Sequence, residues 1–203
     1  MTAYIWDLDG TLIDSYPVIV EAARRTVCRA GLTDSGKEIL EKVKRDTLSA
    51  YFREAASRCG IPSEELLADY RTLTHDMDGL IRAMDGAAEA LERLRKAGAE
   101  HYVYTHRGGS AGPILERLGL KGFFREIVTS EAGFPPKPAG DGVRYLVDKY
   151  GLDPDRTWYA GDRSLDVLCG RNAGVRTLLL LPEDSPVAPT GKEDRIIRSL
   201  WEA

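Results

Sequence analysis

Ala3-Tyr4-Ile5-Trp6-Asp7-Leu8-Asp9-Gly10-Thr11 opens the chain with an apolar run that stops at two aspartates and a Gly-Thr turn. The run predicts a strand over residues 3–8, with both carboxylates where it ends. Three further stretches repeat the arrangement, each following a strand-like run: Thr105-His106-Arg107, Lys137-Pro138 and Gly161-Asp162-Arg163-Ser164-Leu165-Asp166. Together they bring carboxylates, a hydroxyl and an amine to strand ends.

The intervening sequence changes period twice. From Pro17 to about Met77 the apolar residues recur at helical spacing, as in Val18, Ala22 and Val27, then Leu48, Tyr51, Phe52 and Ala55. This predicts three or four helices, broken at Gly31, at Gly36 and at the Gly60-Ile61-Pro62-Ser63 turn, with Ser63 as a helix cap. From Asp85 helices and strands alternate: helix 87–97, strand 101–104, helix 111–118, strand 126–128, helix 142–150, strand 157–160, helix 165–172 and strand 175–181. Residues 181–192, rich in Pro and polar side chains, read as a surface loop. Alternation of this kind implies a doubly wound parallel sheet with helices on both faces. The first strand must join that sheet, so the helical segment is inserted after it. The expected division is an α/β core from residues 1–14 and 81–203, with an all-helical cap over residues 15–80.

Composition narrows the partners. The 203 residues are 43% hydrophobic and 30% charged, as in an ordinary globular protein. A net charge of -4 gives no basic surface to draw nucleic acid or anionic membrane. No apolar run approaches the roughly 20 residues of a membrane span, and no room precedes the first strand for a signal sequence. Cys28, Cys59 and Cys169 are odd in number and widely spaced. They predict reduced thiols and a cytoplasmic location. The expected partner is a small molecule, and the expected state a monomer or homodimer.

In open parallel sheets ligands bind beyond the carboxyl ends of the strands. Asp7, Thr105 and Asp162 all fall at such ends, and Lys137 reaches the same edge by a short loop from the strand Ile127-Val128-Thr129-Ser130. An ionised aspartate attacks phosphorus directly and splits hydrolysis into formation and breakdown of an acyl phosphate. A divalent cation held by Asp7, Asp162 and a backbone carbonyl near Asp9 would offset the repulsion between the two anions, and such a hard oxygen set suits Mg²⁺. Lys137 adds positive charge, Thr105 donates its hydroxyl, and the N–H groups of Leu8, Asp9 and His106 cradle phosphate oxygens. Asp9, beside another carboxylate, is expected to protonate the leaving alcohol and then activate water. Asp166 would hold Lys137 or a metal-bound water.

Taken in order, Asp7-Leu8-Asp9-Gly10-Thr11-Leu12-Ile13-Asp14-Ser15, Thr105, Lys137-Pro138 and the stretch from Gly161-Asp162 to Asp166 resemble the four signature motifs of the haloacid dehalogenase superfamily. The helical insert resembles the cap of its phosphoglycolate-phosphatase-like branch. The resemblance implies a Rossmann-like core with a mobile lid, and a Mg²⁺-dependent phosphatase acting through an aspartyl phosphate. Many relatives carry Ser-Asn or Thr-Asn where this chain has Thr105-His106. Asp9 separates the chain from the dehalogenases that named the superfamily, which lack this second aspartate.

Each feature also has a plain structural reading. A lone Asp-x-Asp at a strand end is usually a turn or cap, and Lys137 by itself would be a solvated loop lysine. Asp162 and Asp166 would suit a helix N-terminus. Asp14 and Ser15 read as caps of the first inserted helix, His75 and His101 as structural or solvent-facing, and Lys44, Arg45 and Arg53 as a solvated face. The agreement of four motifs favours the phosphatase. A phosphomutase of the β-phosphoglucomutase type is the alternative. A signalling receiver module would place its aspartate on a mid-chain strand without a helical insert, and a catalytically silent binding protein need not fill every acid–base position.

Overall fold

The computed structural model describes all 203 residues. In chain order its elements are β1 (Ala3–Trp6), β2 (Ile13–Asp14), α1 (Tyr16–Arg29), α2 (Gly36–Arg45), α3 (Leu48–Cys59), α4 (Ser63–Met77), β3 (Arg82–Ala83), α5 (Ala87–Lys96), β4 (Glu100–Tyr104), α6 (Ala111–Arg117), β5 (Phe124–Val128), α7 (Asp141–Tyr150), β6 (Thr157–Gly161), α8 (Ser164–Ala173), β7 (Arg176–Leu180) and β8 (Arg195–Ile197). They form two compact units, one of residues 1–14 with 82–203 and one of residues 15–81.

The first unit is a six-stranded parallel sheet in the order β5-β4-β1-β6-β7-β8. β1 lies inside it because all four of its residues are buried. Ala3 and Ile5 face a core with Tyr102, Tyr104 and Tyr159, covered by Val143, Leu146 and Val147 of α7 and Cys169 of α8. Tyr4 and Trp6 face the other way, where the two rings stack and meet His101. That second face is covered by α5, whose Leu91 carbonyl lies 3.0 Å from His101 Nε2. The chain winds from β1 through β4 to β5 on one side, then crosses back to β6, β7 and β8 on the other. This reversal puts a crevice at the carboxyl end of β1, the place where open α/β sheets bind ligands.

The second unit is helical throughout. Its core is formed by Ile19, Ala23 and Val27 of α1, Ile39 and Val43 of α2, Phe52 and Ala55 of α3, and Leu66, Tyr70 and Leu73 of α4. Ser35 and Glu38 close a reciprocal capping box at α2, and Thr47 caps α3 through Ala50 N–H. Gly60, at φ 75°, ends α3 in the left-handed conformation that glycine adopts without steric penalty.

Several local expectations need correction. β1 ends at Trp6, two residues before the predicted end, because Leu8 already turns back to accept hydrogen bonds from Thr11, Leu12 and Ile13. Gly36 does not break a helix but begins α2, since the capping box places the boundary at Ser35. Ser63 is the first helical residue of α4, with Pro62 in the cap position; its hydroxyl donates to Glu64 instead. β8 and the two-residue antiparallel pair β2–β3 escape the periodicity, being too short to show a pattern.

Candidate active site

The site grows from the ends of three neighbouring strands. Asp7 directly follows β1, and its backbone N–H donates to Ala160 O of β6 at 2.7 Å. Asp162 directly follows β6, and Thr105 directly follows β4, where its N–H donates to Val128 O of β5 at 3.0 Å. All three side chains are buried. After Asp7 the chain reverses through Gly10, at φ 78°, whose N–H donates to Ile13 O at 2.8 Å. A β-carbon is disfavoured in that backbone conformation, so the Gly in the opening motif is a requirement of the turn.

Lys137 arrives on the loop between β5 and α7, and its side chain is fully buried. Its Nζ donates to Asp7 Oδ1 at 2.5 Å and to Asp166 Oδ1 at 2.8 Å. The rings of Tyr104 and Tyr159 flank the ammonium, with centroids 5.5 and 5.2 Å away. Asp166, in the first turn of α8, also accepts from Arg163 N–H at 3.1 Å, so both of its oxygens are engaged. Gly161 is necessary here: a β-carbon on it would lie 2.3 Å from Asp166 Cβ.

Electrostatics separate these carboxylates. Burial works against the charge on Asp166, yet Lys137, Arg163 and two hydrogen bonds hold its carboxyl below the usual carboxylate range. Burial also opposes the charge on Lys137, but Asp166 and Asp7 outweigh it and keep the ammonium above its ordinary range. Burial pushes Asp7 up to about 7, against the pull of Lys137 and reinforced by Asp166 and Asp162. The firm pair is therefore Lys137 with Asp166. Asp7 is the carboxylate whose charge needs further stabilisation.

A metal fits this need. Carboxylate oxygens of Asp7, Asp162 and Asp166 all lie within 4.8 Å of one another. Asp7 Oδ2 is buried without a hydrogen-bond partner, a costly state that a cation would relieve. An all-oxygen donor set of this kind suits a hard divalent ion.

Asp9 pairs with an arginine to which sequence reasoning assigned no role. Its carboxylate is gripped by Arg107, with Nη2 at 2.6 Å and Nε at 3.1 Å from Oδ1. The reason is local: the β4 loop that carries Thr105 also carries Arg107, which is further steadied by Nη1 donating to Ser110 Oγ at 3.2 Å. Thr105 Oγ1 accepts from Arg107 N–H at 3.0 Å, which leaves the hydroxyl proton to donate. The His106 ring accepts from Lys137 N–H through Nε2 at 2.8 Å. Burial, then Lys137 and Arg163, lower its pKa to about 4, so the ring is neutral. Sequence reasoning assigned no role to Arg107, Arg163, Tyr104 or Tyr159. The two arginines stood inside quoted motifs, but the tyrosines carry no signal that separates them from core residues.

The parallel sheet brings buried carboxylates to adjacent strand ends, with a lysine clamped between two of the carboxylates. The chain belongs to the haloacid dehalogenase-like hydrolase family, whose family model its residues 4–180 match. A phosphoglycolate phosphatase of Agrobacterium fabrum is 31% identical over 183 residues, covering 86% of this chain and 78% of the relative. The pyrophosphatase PpaX of Bacillus velezensis is 29% identical over 182 residues, covering 87% and 82%. Among solved structures, a haloacid dehalogenase-like hydrolase from Streptococcus pneumoniae superposes with a TM-score of 0.83 at 23% identity, covering 100% of this chain and 96% of that one. That likeness is one of fold.

Proposed function

We propose that the chain is a Mg²⁺-dependent phosphatase that hydrolyses a small phosphomonoester, phosphoglycolate-like or a sugar phosphate, through an aspartyl phosphate on Asp7. The observation that carries the reading is the Asp7 carboxylate itself. One oxygen is fixed by Lys137, while the other is buried with no hydrogen-bond partner, as a poised nucleophile requires.

A carboxylate oxygen of Asp7 attacks phosphorus, and the ester P–O bond breaks. Thr105 Oγ, the N–H groups of Leu8, Asp9 and His106, and Lys137 Nζ hold the phosphoryl oxygens as charge builds on them. Asp9 delivers a proton to the departing alkoxide. In the second half, Asp9 takes a proton from water as it attacks the aspartyl phosphate; the bond to Asp7 breaks and inorganic phosphate leaves. Arg107 donates to the Asp9 carboxylate, a contact that favours the anion this second half needs. Asp166 keeps Lys137 aimed at Asp7. Asp7, Asp162 and the backbone carbonyl of Asp9 would hold Mg²⁺, which would supply positive charge between the two anions.

Residues 15–80 serve as the cap that selects the substrate, and residues 1–14 with 81–203 as the catalytic core. The three unpaired cysteines accord with a cytoplasmic setting. The pyrophosphatase relative places inorganic pyrophosphate among the substrates to try. The test is phosphate release from phosphoglycolate, sugar phosphates and pyrophosphate, with Mg²⁺ or chelator, for the native chain and Asp7→Asn. Release that needs Mg²⁺ and vanishes in the variant supports the reading. Conversion of a sugar phosphate to its isomer without release would replace it with the mutase, and release that survives Asp7→Asn would remove the aspartyl phosphate.

A further inference from the structure

The segment Pro135-Pro136-Lys137-Pro138 has one backbone donor in four residues, because proline carries no N–H. That donor, Lys137 N–H, goes to His106 Nε2 at 2.8 Å. The other ties on this strap are made through its carbonyls: Tyr104 Oη donates to Pro135 O at 3.2 Å, Ala139 N–H to Pro136 O at 3.1 Å, and Asn172 Nδ2 to Pro138 O at 2.9 Å. At Lys137 itself the backbone is fastened to the β4 loop by His106. The same loop carries Thr105, one residue earlier.

We propose that His106 is a positioning residue that fixes the lysine strap to the phosphate-binding loop through its ring nitrogen as acceptor. The inference rests on the phosphatase reading for the task of Lys137, but the contact itself does not. A partly buried N–H that loses this ring acceptor must turn to water or remain unpaired. Since Lys137 Nζ lies within hydrogen-bond reach of both Asp7 and Asp166, a small shift of the strap breaks both contacts. His106 acts on the reaction only through that placement.

Gln sets an acceptor oxygen near the position of Nε2, whereas Leu keeps the bulk without an acceptor. His106→Leu is expected to lose on the order of 10- to 100-fold in kcat, as for residues that orient active-site groups from behind. Inorganic phosphate should also inhibit this variant more weakly. His106→Gln should restore both values close to those of the native chain. Hydrogen exchange at the Lys137 amide, read by NMR, provides a second measure independent of turnover: protected in the native chain and in His106→Gln, exchanging fast in His106→Leu. His106→Ala, with the same amide readout, substitutes if the Leu variant does not fold. Equal Lys137 protection in all variants, or a Gln variant as impaired as Leu, would overturn the inference. A native chain that releases no phosphate but shows the exchange pattern would overturn the phosphatase reading and leave the His106 contact standing.

Discussion

His101 lies on β4 with its ring buried between Trp6 and α5. Trp6 Nε1 donates to His101 Nδ1 at 3.1 Å, and His101 Nε2 faces Leu91 O at 3.0 Å. These partners demand the neutral tautomer with hydrogen on Nε2, because a proton on Nδ1 would oppose the indole N–H. Burial, assisted by Arg95 and opposed by the Leu91 hydrogen bond, moves the ring from 6.5 to about 4. The unfolded chain therefore binds a proton that the folded chain refuses between those values. The contribution is fully present above pH 6.5 and is lost as pH falls toward 4. A fall from 6.5 to about 4 corresponds to about 3 kcal/mol in full. The linkage relation puts about 2 kcal/mol of that loss between pH 7.5 and pH 5. Urea unfolding of the native chain and of His101→Gln at both pH values isolates this share, since every other titrating group is common to the two. The stability advantage of the native chain should shrink by about 2 kcal/mol on acidification. An advantage that stays constant across the two pH values would refute the buried neutral ring. The consequence reaches the site, because Trp6 is joined directly to Asp7.

Three further outcomes follow from the site. Gly161→Ala places a β-carbon 2.3 Å from Asp166 Cβ and 2.4 Å from its Cγ, so Asp166 must leave Lys137; phosphate release should fall to background and calorimetry should show about 1–3 kcal/mol of lost stability. Lys137→Met leaves Asp7 and Asp166 buried without their shared cation, which should cost about 3–5 kcal/mol at pH 8; denaturant titrations should show the deficit narrowing toward pH 5, and an unchanged deficit would sink the pairing. Asp9→Asn should lower kcat by roughly 10²- to 10⁴-fold, and in acid-quenched samples the phosphorylated chain should accumulate on mass spectrometry; turnover at the native rate would remove Asp9 from the acid–base role.

Much of the fold was legible because its signals are local. β1, β4 and β6 show as short apolar runs, each ending in a polar residue, and alternation with helices implies parallel pairing. A residue that follows a strand of a parallel sheet is at the sheet edge whatever its neighbours, so Asp7, Thr105 and Asp162 could be brought together on paper. The strand at 195–197 was not legible, since three residues carry no period and their pairing with β7 is set by the loop before them.

The amino-acid sequence by itself determined the sheet, the helical insertion, and the acids, hydroxyl and lysine delivered to one edge. Only the tertiary structure decided how those groups divide their partners. Lys137 bridges Asp7 and Asp166, Arg107 takes Asp9, and His106 takes a backbone N–H 31 residues away. Residue type and strand position follow from short-range periodicity. The choice among several nearby carboxylates for each cation depends instead on distances of a few tenths of an ångström and on burial, which strengthens every charge interaction it encloses. Those quantities exist only once segments as far apart as Asp7 and Lys137 have packed together.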